Sequence, residues 1–264
     1  MIKTGKGIAL PYLLSETITK GVFTVAQIIV VASGKGGSGK SSFTVGAGRA
    51  LANLGYKVLA ADCDIGLRSL DILLGVSEQV VFDWGDLLLE RCSAEQAIIK
   101  ADIDLIAAPR SFYDEFTPEA VASLFKSLSE NYDYILLDSP AGIDRGFELA
   151  AAGADKAIVV TTPDSVCVRS CSMAFAGLRR LKIEDVRLVI NMFEVKPVCK
   201  KKLLNIDQCI DETGVQLLGV VPRDANIGFS SVTGTSPKEF APSSLAFSRI
   251  AKRISGKRVP LVCE

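Results

Sequence analysis

The segment Gly34-Lys35-Gly36-Gly37-Ser38-Gly39-Lys40-Ser41 satisfies the pattern G-x-x-x-x-G-K-[ST] of a phosphate-binding loop. A short apolar run at residues 28–32 precedes it, and apolar residues three and four apart follow it over residues 43–54. The sequence therefore predicts a strand, a glycine-rich turn and a helix in that order, as a phosphate loop requires. A structural turn would explain the glycines, but it would not explain Lys40 and Ser41 at the helix start.

The residue types of this loop suit a bound triphosphate and its metal ion. Its glycines are expected to let backbone amides converge on phosphate oxygens, and the helix start adds a favourable dipole. These glycines are Gly36, Gly37 and Gly39. Lys40 is predicted to reach the β and γ phosphates, and the Ser41 hydroxyl to bind Mg²⁺. Asp138, which closes a predicted strand at residues 134–137, is predicted to hold the same ion through water.

Strand and helix patterns alternate along the chain. Seven short apolar runs rich in β-branched residues are predicted strands. They are residues 28–32, 58–61, 103–107, 134–137, 157–160, 186–190 and 217–221. Helical spacing of apolar residues lies between most of them, as at residues 118–128. The sequence therefore predicts an α/β fold, a mostly parallel twisted sheet with helices on both faces, in a single domain.

Composition excludes several classes of function. The 264 residues carry 30 Lys plus Arg and 30 Asp plus Glu, so no net charge attracts the chain to nucleic acid. No apolar run is long enough to span a bilayer. The seven Cys include no C-x-x-C pair, which predicts reduced thiols in the cytoplasm. The absence of His excludes every Ser-His or Cys-His catalytic arrangement.

Lys35 adds a feature that an ordinary phosphate loop does not need. The pattern K-G-G-x-G-K-[ST] is similar to the deviant Walker A motif of the MinD/ParA superfamily, and the resemblance extends from about Val25 to Leu261. It implies an ATP-dependent homodimer in which Lys35 contacts the nucleotide of the partner subunit. A cation in that position would stabilise charge on the transferring phosphoryl group.

Two further segments resemble the MinD branch of this superfamily. Asp62-Cys63-Asp64-Ile65-Gly66-Leu67-Arg68-Ser69-Leu70-Asp71 resembles its switch I, which implies that Asp64 positions the attacking water and that Asp62 lies near Mg²⁺. Asp138-Ser139-Pro140-Ala141-Gly142-Ile143 resembles its Walker B and switch II, which implies that the Gly142 amide senses the γ-phosphate. With Lys35 and Lys40, Asp64 completes the implied catalytic set.

The resemblance also implies where the base of the nucleotide binds. Asn191 and the turn Pro222-Arg223-Asp224 occupy positions that contact adenine in the family. Met192 and Phe193 depart from the family pattern, and Arg223 replaces an acid, so the resemblance implies phosphate binding but leaves the choice between ATP and GTP open. The implied nucleotide-binding residues are Gly34, Lys35, Gly36, Gly37, Ser38, Gly39, Lys40, Ser41, Ser42, Gly142, Asn191, Pro222, Arg223 and Asp224.

Residues 1–24 fit the alternating pattern poorly and are predicted to be an extension of a domain at residues 25–264. A signal peptide is disfavoured, because the apolar stretch at residues 8–14 is short and contains Pro11. A flexible or packed extension is a second interpretation. The preferred hypothesis is that Val25 is the true initiator, since family members begin as the chain does from Val25; peptides from residues 1–24 in the native protein would refute it.

The C-terminal segment has an amphipathic pattern with Gly256 as a predicted cap. Its apolar stripe consists of Phe247, Ile250, Ala251 and Ile254. Core packing is favoured over a membrane-surface helix, because the resemblance places this helix within the domain and the family's lipid-binding helix beyond it. The chain stops at Glu264, so direct membrane binding is not expected unless a partner supplies it. The expected location is the cytoplasm, with peripheral attachment at the inner face of the membrane as the alternative.

The resemblance implies a slow, partner-activated ATPase that places the division septum, with a protein activator and a division inhibitor as partners. Three alternatives within the same fold remain open: a ParA-type partition ATPase, a flagellar-number ATPase and a nucleotide-binding scaffold with negligible turnover. A partition ATPase would need a basic face, and Lys196 with residues 200–202 forms the only dense basic group in the sequence. An iron–sulfur carrier is a further alternative, suggested by Cys167 and Cys171 one helical turn apart. No specific nucleic acid partner is expected.

Overall fold

A computed structural model describes residues 25–200, 202–225, 227 and 241–261, and in these ranges eight strands form one sheet. The strands are β1 Gln27–Ser33, β2 Val58–Asp62, β3 Ile98–Ile99, β4 Asp104–Ile106, β5 Tyr134–Ala141, β6 Lys156–Thr161, β7 Asp185–Phe193 and β8 Leu217–Pro222. Their order is β3-β4-β2-β5-β1-β6-β7-β8, and only the β3–β4 pair is antiparallel. The predicted α/β fold with a mostly parallel sheet is confirmed.

Helices cover both faces of the sheet. The described helices are α1 Lys40–Asn53, α2 Leu70–Leu74, α3 Trp84–Leu88, α4 Ala94–Ala97, α5 Pro118–Leu128, α6 Arg145–Ala151, α7 Ser165–Arg180, α8 Val195–Cys199, α9 Ile206–Thr213 and α10 Pro242–Ile254. Alternate residues of β1 divide the core, because side chains alternate across a strand. Ile29 and Val31 pack with α1, α2 and α10, whereas Ile28 and Val30 pack in the core that includes α3, α5, α6 and α7.

The C-terminal helix α10 belongs to the core. Phe247, Ile250 and Ala251 are buried, Ile254 is partly buried, and the Phe247 ring lies 6.0 Å from the ring of Phe43 in α1. The prediction of core packing for this helix is therefore confirmed. Gly256 follows the helix with φ of 82°, as expected of a cap.

The predicted extension at residues 1–24 lies outside the described residues, and the domain boundary at residue 25 stays a prediction. Lys201, one member of the predicted basic cluster, also lies outside them. None of the helices in the described ranges combines the length and the apolar character that crossing a bilayer requires.

The end of the strand that carries Asp138 was predicted wrongly, and this boundary matters for the site. Asp138 was expected to close its strand, but β5 continues to Ala141, which pairs with Ser33 after an irregularity in the register. Asp138 instead lies within the strand, where it pairs with Asp62 of β2 on one side and Val31 of β1 on the other. Two acidic residues are thus adjacent beside the strand that leads into the glycine-rich loop.

Candidate functional site

The glycine-rich loop, residues 34–39, connects β1 to α1 and needs left-handed backbone at two positions. Gly37 and Gly39 have φ of 84° and 80°, values that side-chain-bearing residues rarely adopt. Gly36 is not in the left-handed region, and the approach of its amide to a phosphate oxygen stays a prediction. Among the described residues no side chain caps α1, so its first backbone amides are available to an anion.

Gly34 is required for a reason that the sequence pattern does not contain. A Cβ atom at this position would lie 1.9 Å from the backbone carbonyl oxygen of Ser170 in α7. The loop and α7 can approach so closely only because Gly34 has no side chain. This contact joins the phosphate loop to a helix 136 residues away in sequence, and the amide of Asn191 holds the loop at another point by donating to the Ser38 carbonyl oxygen at 2.9 Å.

We predict that Gly34→Ala destabilises the fold by about 1 to 3 kcal/mol, because a backbone carbonyl oxygen cannot yield to the added methyl group without a shift of α7 or the loop. Gly36→Ala is the matched control, since a Cβ there meets nothing within 4 Å. Urea unfolding of both variants measures the difference. Equal free energies of unfolding for the two variants would show that the Gly34 contact with Ser170 is unimportant.

Lys40 and Asp138 form a buried ion pair at the start of α1. The Lys40 Nζ atom lies 2.9 Å from Asp138 Oδ1, and the two side chains are 7% and 0% exposed. The Thr44 hydroxyl lies 3.0 Å from the same carboxylate oxygen. Lys40 was predicted to reach the phosphates; in this arrangement its ammonium group contacts Asp138 and lies 3.4 Å from the Ser41 hydroxyl. A bound triphosphate must therefore compete with Asp138 for Lys40.

The oxygen groups expected to hold Mg²⁺ lie beside this pair. Asp138 Oδ2 is buried and has no hydrogen-bond partner among the described residues, which is unusual for a carboxylate oxygen. The Ser41 hydroxyl accepts a hydrogen bond from the Ser69 hydroxyl at 3.2 Å. In the described ranges no group of three or more His, Cys, Asp or Glu side chains could hold a metal ion. The unpartnered Asp138 Oδ2 atom and the nearby Ser41 hydroxyl fit an ion that takes its other ligands from phosphate and water, as Mg²⁺ does.

Asp62 orders the switch I segment, residues 62–71, by accepting hydrogen bonds from its backbone amides. Its Oδ1 atom accepts from the Asp64 amide at 2.9 Å, and its Oδ2 atom accepts from the Ser69 amide at 2.7 Å and the Leu70 amide at 3.0 Å. Burial and the neighbouring Asp138 raise the pKa of Asp62, against the lowering effect of these hydrogen bonds. A cation near Asp138 would relieve this repulsion between adjacent carboxylates.

Asp64 and Lys35 lie at the accessible side of the site. Asp64 is half-buried, and its pKa is raised, mainly by burial and also by the nearby Asp62 carboxylate. Lys40 acts in the opposite direction and lowers this pKa. Lys35 is exposed, so its ammonium group can reach a second molecule, and its carbonyl oxygen accepts from the Ser33 hydroxyl at 3.2 Å. The Gly142 amide, expected to sense the γ-phosphate, donates to the Ser33 carbonyl oxygen at 3.1 Å.

A mostly apolar cavity of about 380 Å³ lies beside the loop. Four of the residues expected to contact the base line it: Asn191, Pro222, Arg223 and Asp224. Ser42, which the resemblance also implied, lines it with Phe43, Met192, Ala225, Ile227 and Phe247. The sequence did not indicate Phe247, because this residue reaches the cavity from α10 only in the folded chain. Contact of these residues with adenine stays a prediction.

Sequence comparisons with known proteins identify relatives that share a P-loop NTPase domain with this chain. A family model described as ParA, NUBPL iron-transfer P-loop NTPase, matches residues 24–255. The septum site-determining protein MinD of Bacillus subtilis is 37% identical over 248 residues, which cover 90% of this chain and 92% of that protein. The chain belongs to the MinD/ParA family of P-loop NTPases.

Solved structures place the chain near the MinD members of the MinD/ParA family. The Aquifex aeolicus MinC:MinD cell division protein complex contains a chain that is 33% identical, with a TM-score of 0.83, covering 90% of this chain and 99% of that one. MinD of Pyrococcus horikoshii, complexed with Mg-ADP, is 26% identical with a TM-score of 0.78, covering 87% of this chain and 96% of that one. The Synechocystis MinD is 36% identical over 89% of this chain and 92% of that protein.

Proposed function

We propose that this chain is a MinD-type ATPase, a nucleotide-gated dimeric switch that acts in placing the division septum. The observation that carries the proposal is the loop itself, in which one lysine is buried against Asp138 and a second lysine is exposed to solvent. The similarity to MinD proteins over about 90% of the chain supports the septum role over that of other family members. The implied location is the cytoplasm or the inner face of the membrane.

The site residues divide the proposed reaction between them. The α1 amides and Lys40 bind the phosphates, while Asp138 Oδ2 and Ser41 would hold Mg²⁺, which neutralises phosphate charge when bound. Asp64 orients the attacking water, because phosphoryl transfer depends on orientation and charge stabilisation more than on a strong base. Lys35 of the partner subunit stabilises charge on the transferring group. Asn191 and residues 222–224 surround the base in the adjacent cavity.

Slow turnover with acceleration by a protein partner belongs to the same proposal. The Gly142 amide, expected to sense the γ-phosphate, is paired with the Ser33 carbonyl oxygen at the end of β1, so this expected contact depends on rearrangement. A chain whose catalytic contacts form only in a dimer or with a partner hydrolyses slowly on its own. Binding of a protein partner is supported by the Aquifex aeolicus MinC:MinD complex, and acceleration by such a partner stays a prediction.

The iron–sulfur alternative has less support from the structure. Cys171 is buried in the hydrophobic core, and burial raises its pKa to about 12, which disfavours the thiolate that a cluster needs. Cys167 is partly buried, and burial, followed by the neighbouring Asp164 carboxylate, raises its pKa. These contacts fit packing of a helix face.

We predict that Asp64→Ala accumulates as a dimer in ATP, because binding of ATP persists while its hydrolysis is lost. Size-exclusion chromatography with Mg²⁺ and ATP, or with ADP, measures the effect, and Asp71→Asn is a control in the same segment. A monomer in ATP for both wild type and Asp64→Ala, under conditions where both bind ATP, would contradict the dimeric switch.

A further inference from the structure

The switch I segment is attached to the short helix α3 as well as to the nucleotide site. Trp84, the first residue of α3, is buried, and its indole nitrogen donates to the Asp62 carbonyl oxygen at 2.8 Å. On the other side of the segment, Arg68 Nη2 lies 2.8 Å from Asp83 Oδ2. Two successive residues, Asp83 and Trp84, therefore hold the chain on either side of Asp64, at Arg68 and at Asp62.

The backbone conformation of Arg68 and a second hydrogen bond of its side chain fix its orientation toward Asp83. Its φ is 45°, which is uncommon for a residue other than glycine, asparagine or aspartate. Its Nε atom donates to the Ala108 carbonyl oxygen at 2.6 Å. The side chain is only 16% exposed and that of Asp83 only 13%, so water screens the ion pair less than it screens a surface pair.

Asp83 can hold Arg68 rigidly because its other oxygen is fixed by the helix. Its Oδ1 atom accepts from the Gly85 amide at 3.0 Å and from the Asp86 amide at 3.1 Å, and Asp86 completes a capping box by accepting from the Asp83 amide. The neighbouring Trp84 ring packs against Phe116 at 4.8 Å between centroids. The carboxylate that faces Arg68 is thus oriented by core packing and by the start of a helix.

We propose that Asp83 and Arg68 are a positioning pair that fixes the Asp64 segment for ATP hydrolysis. Neither residue contacts the nucleotide; each acts through the position of Asp64. The proposal rests on the proposed function. An attacking water misplaced by about 1 Å costs on the order of 100-fold in rate, so a looser Asp64 segment lowers the rate without weakening phosphate binding at the loop.

The test is Asp83→Asn, which keeps an efficient helix cap but removes the charge that faces Arg68. We expect kcat for ATP to fall by about 10-fold or more, with KM and nucleotide affinity unchanged, because only the position of Asp64 is loosened. Asp86→Asn is the matched control: Asp86 belongs to the same capping box, and its described contacts are with Asp83 and Arg91. Arg68→Gln should lose at least as much, because it also removes the hydrogen bond to Ala108, and the double variant Arg68→Gln/Asp83→Asn should lose no more than Arg68→Gln alone, because a pair that acts as a unit is not additive.

Any one of three results would contradict the positioning role of Asp83 and Arg68. They are an unchanged kcat for Asp83→Asn, an equal loss for Asp83→Asn and Asp86→Asn, or losses that multiply in the double variant. Failure of the proposed function is a separate result, since wild type would then show no magnesium-dependent ATP binding or turnover. If wild type and Asp83→Asn hydrolyse ATP at the same rate, the positioning role of Asp83 and Arg68 is rejected, but the proposed function is not.

Discussion

Lys40→Met is expected to weaken magnesium-dependent ATP binding at least about 100-fold and to destabilise the fold. The substitution removes the cation expected to bind the β and γ phosphates, and a charged hydrogen bond of about 3 kcal/mol corresponds to that factor. It also leaves the fully buried Asp138 carboxylate without its cation. Loss of one partner of a buried pair costs about 3 to 5 kcal/mol.

A double variant separates the two effects of Lys40→Met. Asp138→Asn in the Lys40→Met background removes the uncompensated charge, so the free energy of unfolding should recover while ATP binding stays lost. Urea unfolding and a direct nucleotide titration measure the two quantities. Full ATP affinity in Lys40→Met, or no recovery of stability in the double variant, would contradict the roles assigned to this pair.

Lys35→Ala is expected to reduce ATP hydrolysis by about 1,000-fold, within the range for cations that stabilise a transferring phosphoryl group from outside the binding subunit. The fold should be unaffected, because Lys35 is exposed. Lys57→Ala, another exposed lysine outside the loop, is the control and should hydrolyse ATP as wild type does.

Mixing two inactive variants decides whether Lys35 acts on the partner's nucleotide. In a heterodimer of Lys35→Ala with Asp64→Ala, the site on the Lys35→Ala subunit keeps its own Asp64 and faces an intact Lys35. We therefore expect the mixture to hydrolyse ATP faster than either variant alone. A mixture as inactive as its components, or Lys35→Ala that dimerises in ATP as readily as wild type, would reject the contact between subunits.

Local pattern was sufficient for most of the fold. The predicted strand at residues 28–32 lies within β1, and residues 118–128 match α5, because both segments bury a face whose period is visible in the sequence. The two-residue strand β3 was missed, since it is too short to show a period. The end of β5 was misplaced because its last residues are held by pairing with Ser33, a contact between segments distant in sequence.

The parts of the candidate site that belong to a sequence motif could be predicted, and the parts that depend on packing between distant segments could not. The glycine-rich loop and Asp138 were found from residue types that follow predicted strands, and Asp62 from the resemblance to switch I. The contact between Gly34 and Ser170 and the apolar wall that Phe247 gives the cavity were not, because both depend on helices that approach only after folding. Asp83 carried no functional signal in the sequence, since an acid before a helix is explained by capping alone.

The bond between Lys40 and Asp138 has a consequence for selectivity. An anion that draws Lys40 toward itself weakens the ion pair with Asp138, so a singly charged anion gains little from this lysine. A polyphosphate that arrives with a divalent ion supplies both replacements together, negative oxygens for the lysine and positive charge for the aspartate. Nucleotide and magnesium should consequently bind as one cooperative unit, each of them weakly when the other is withheld.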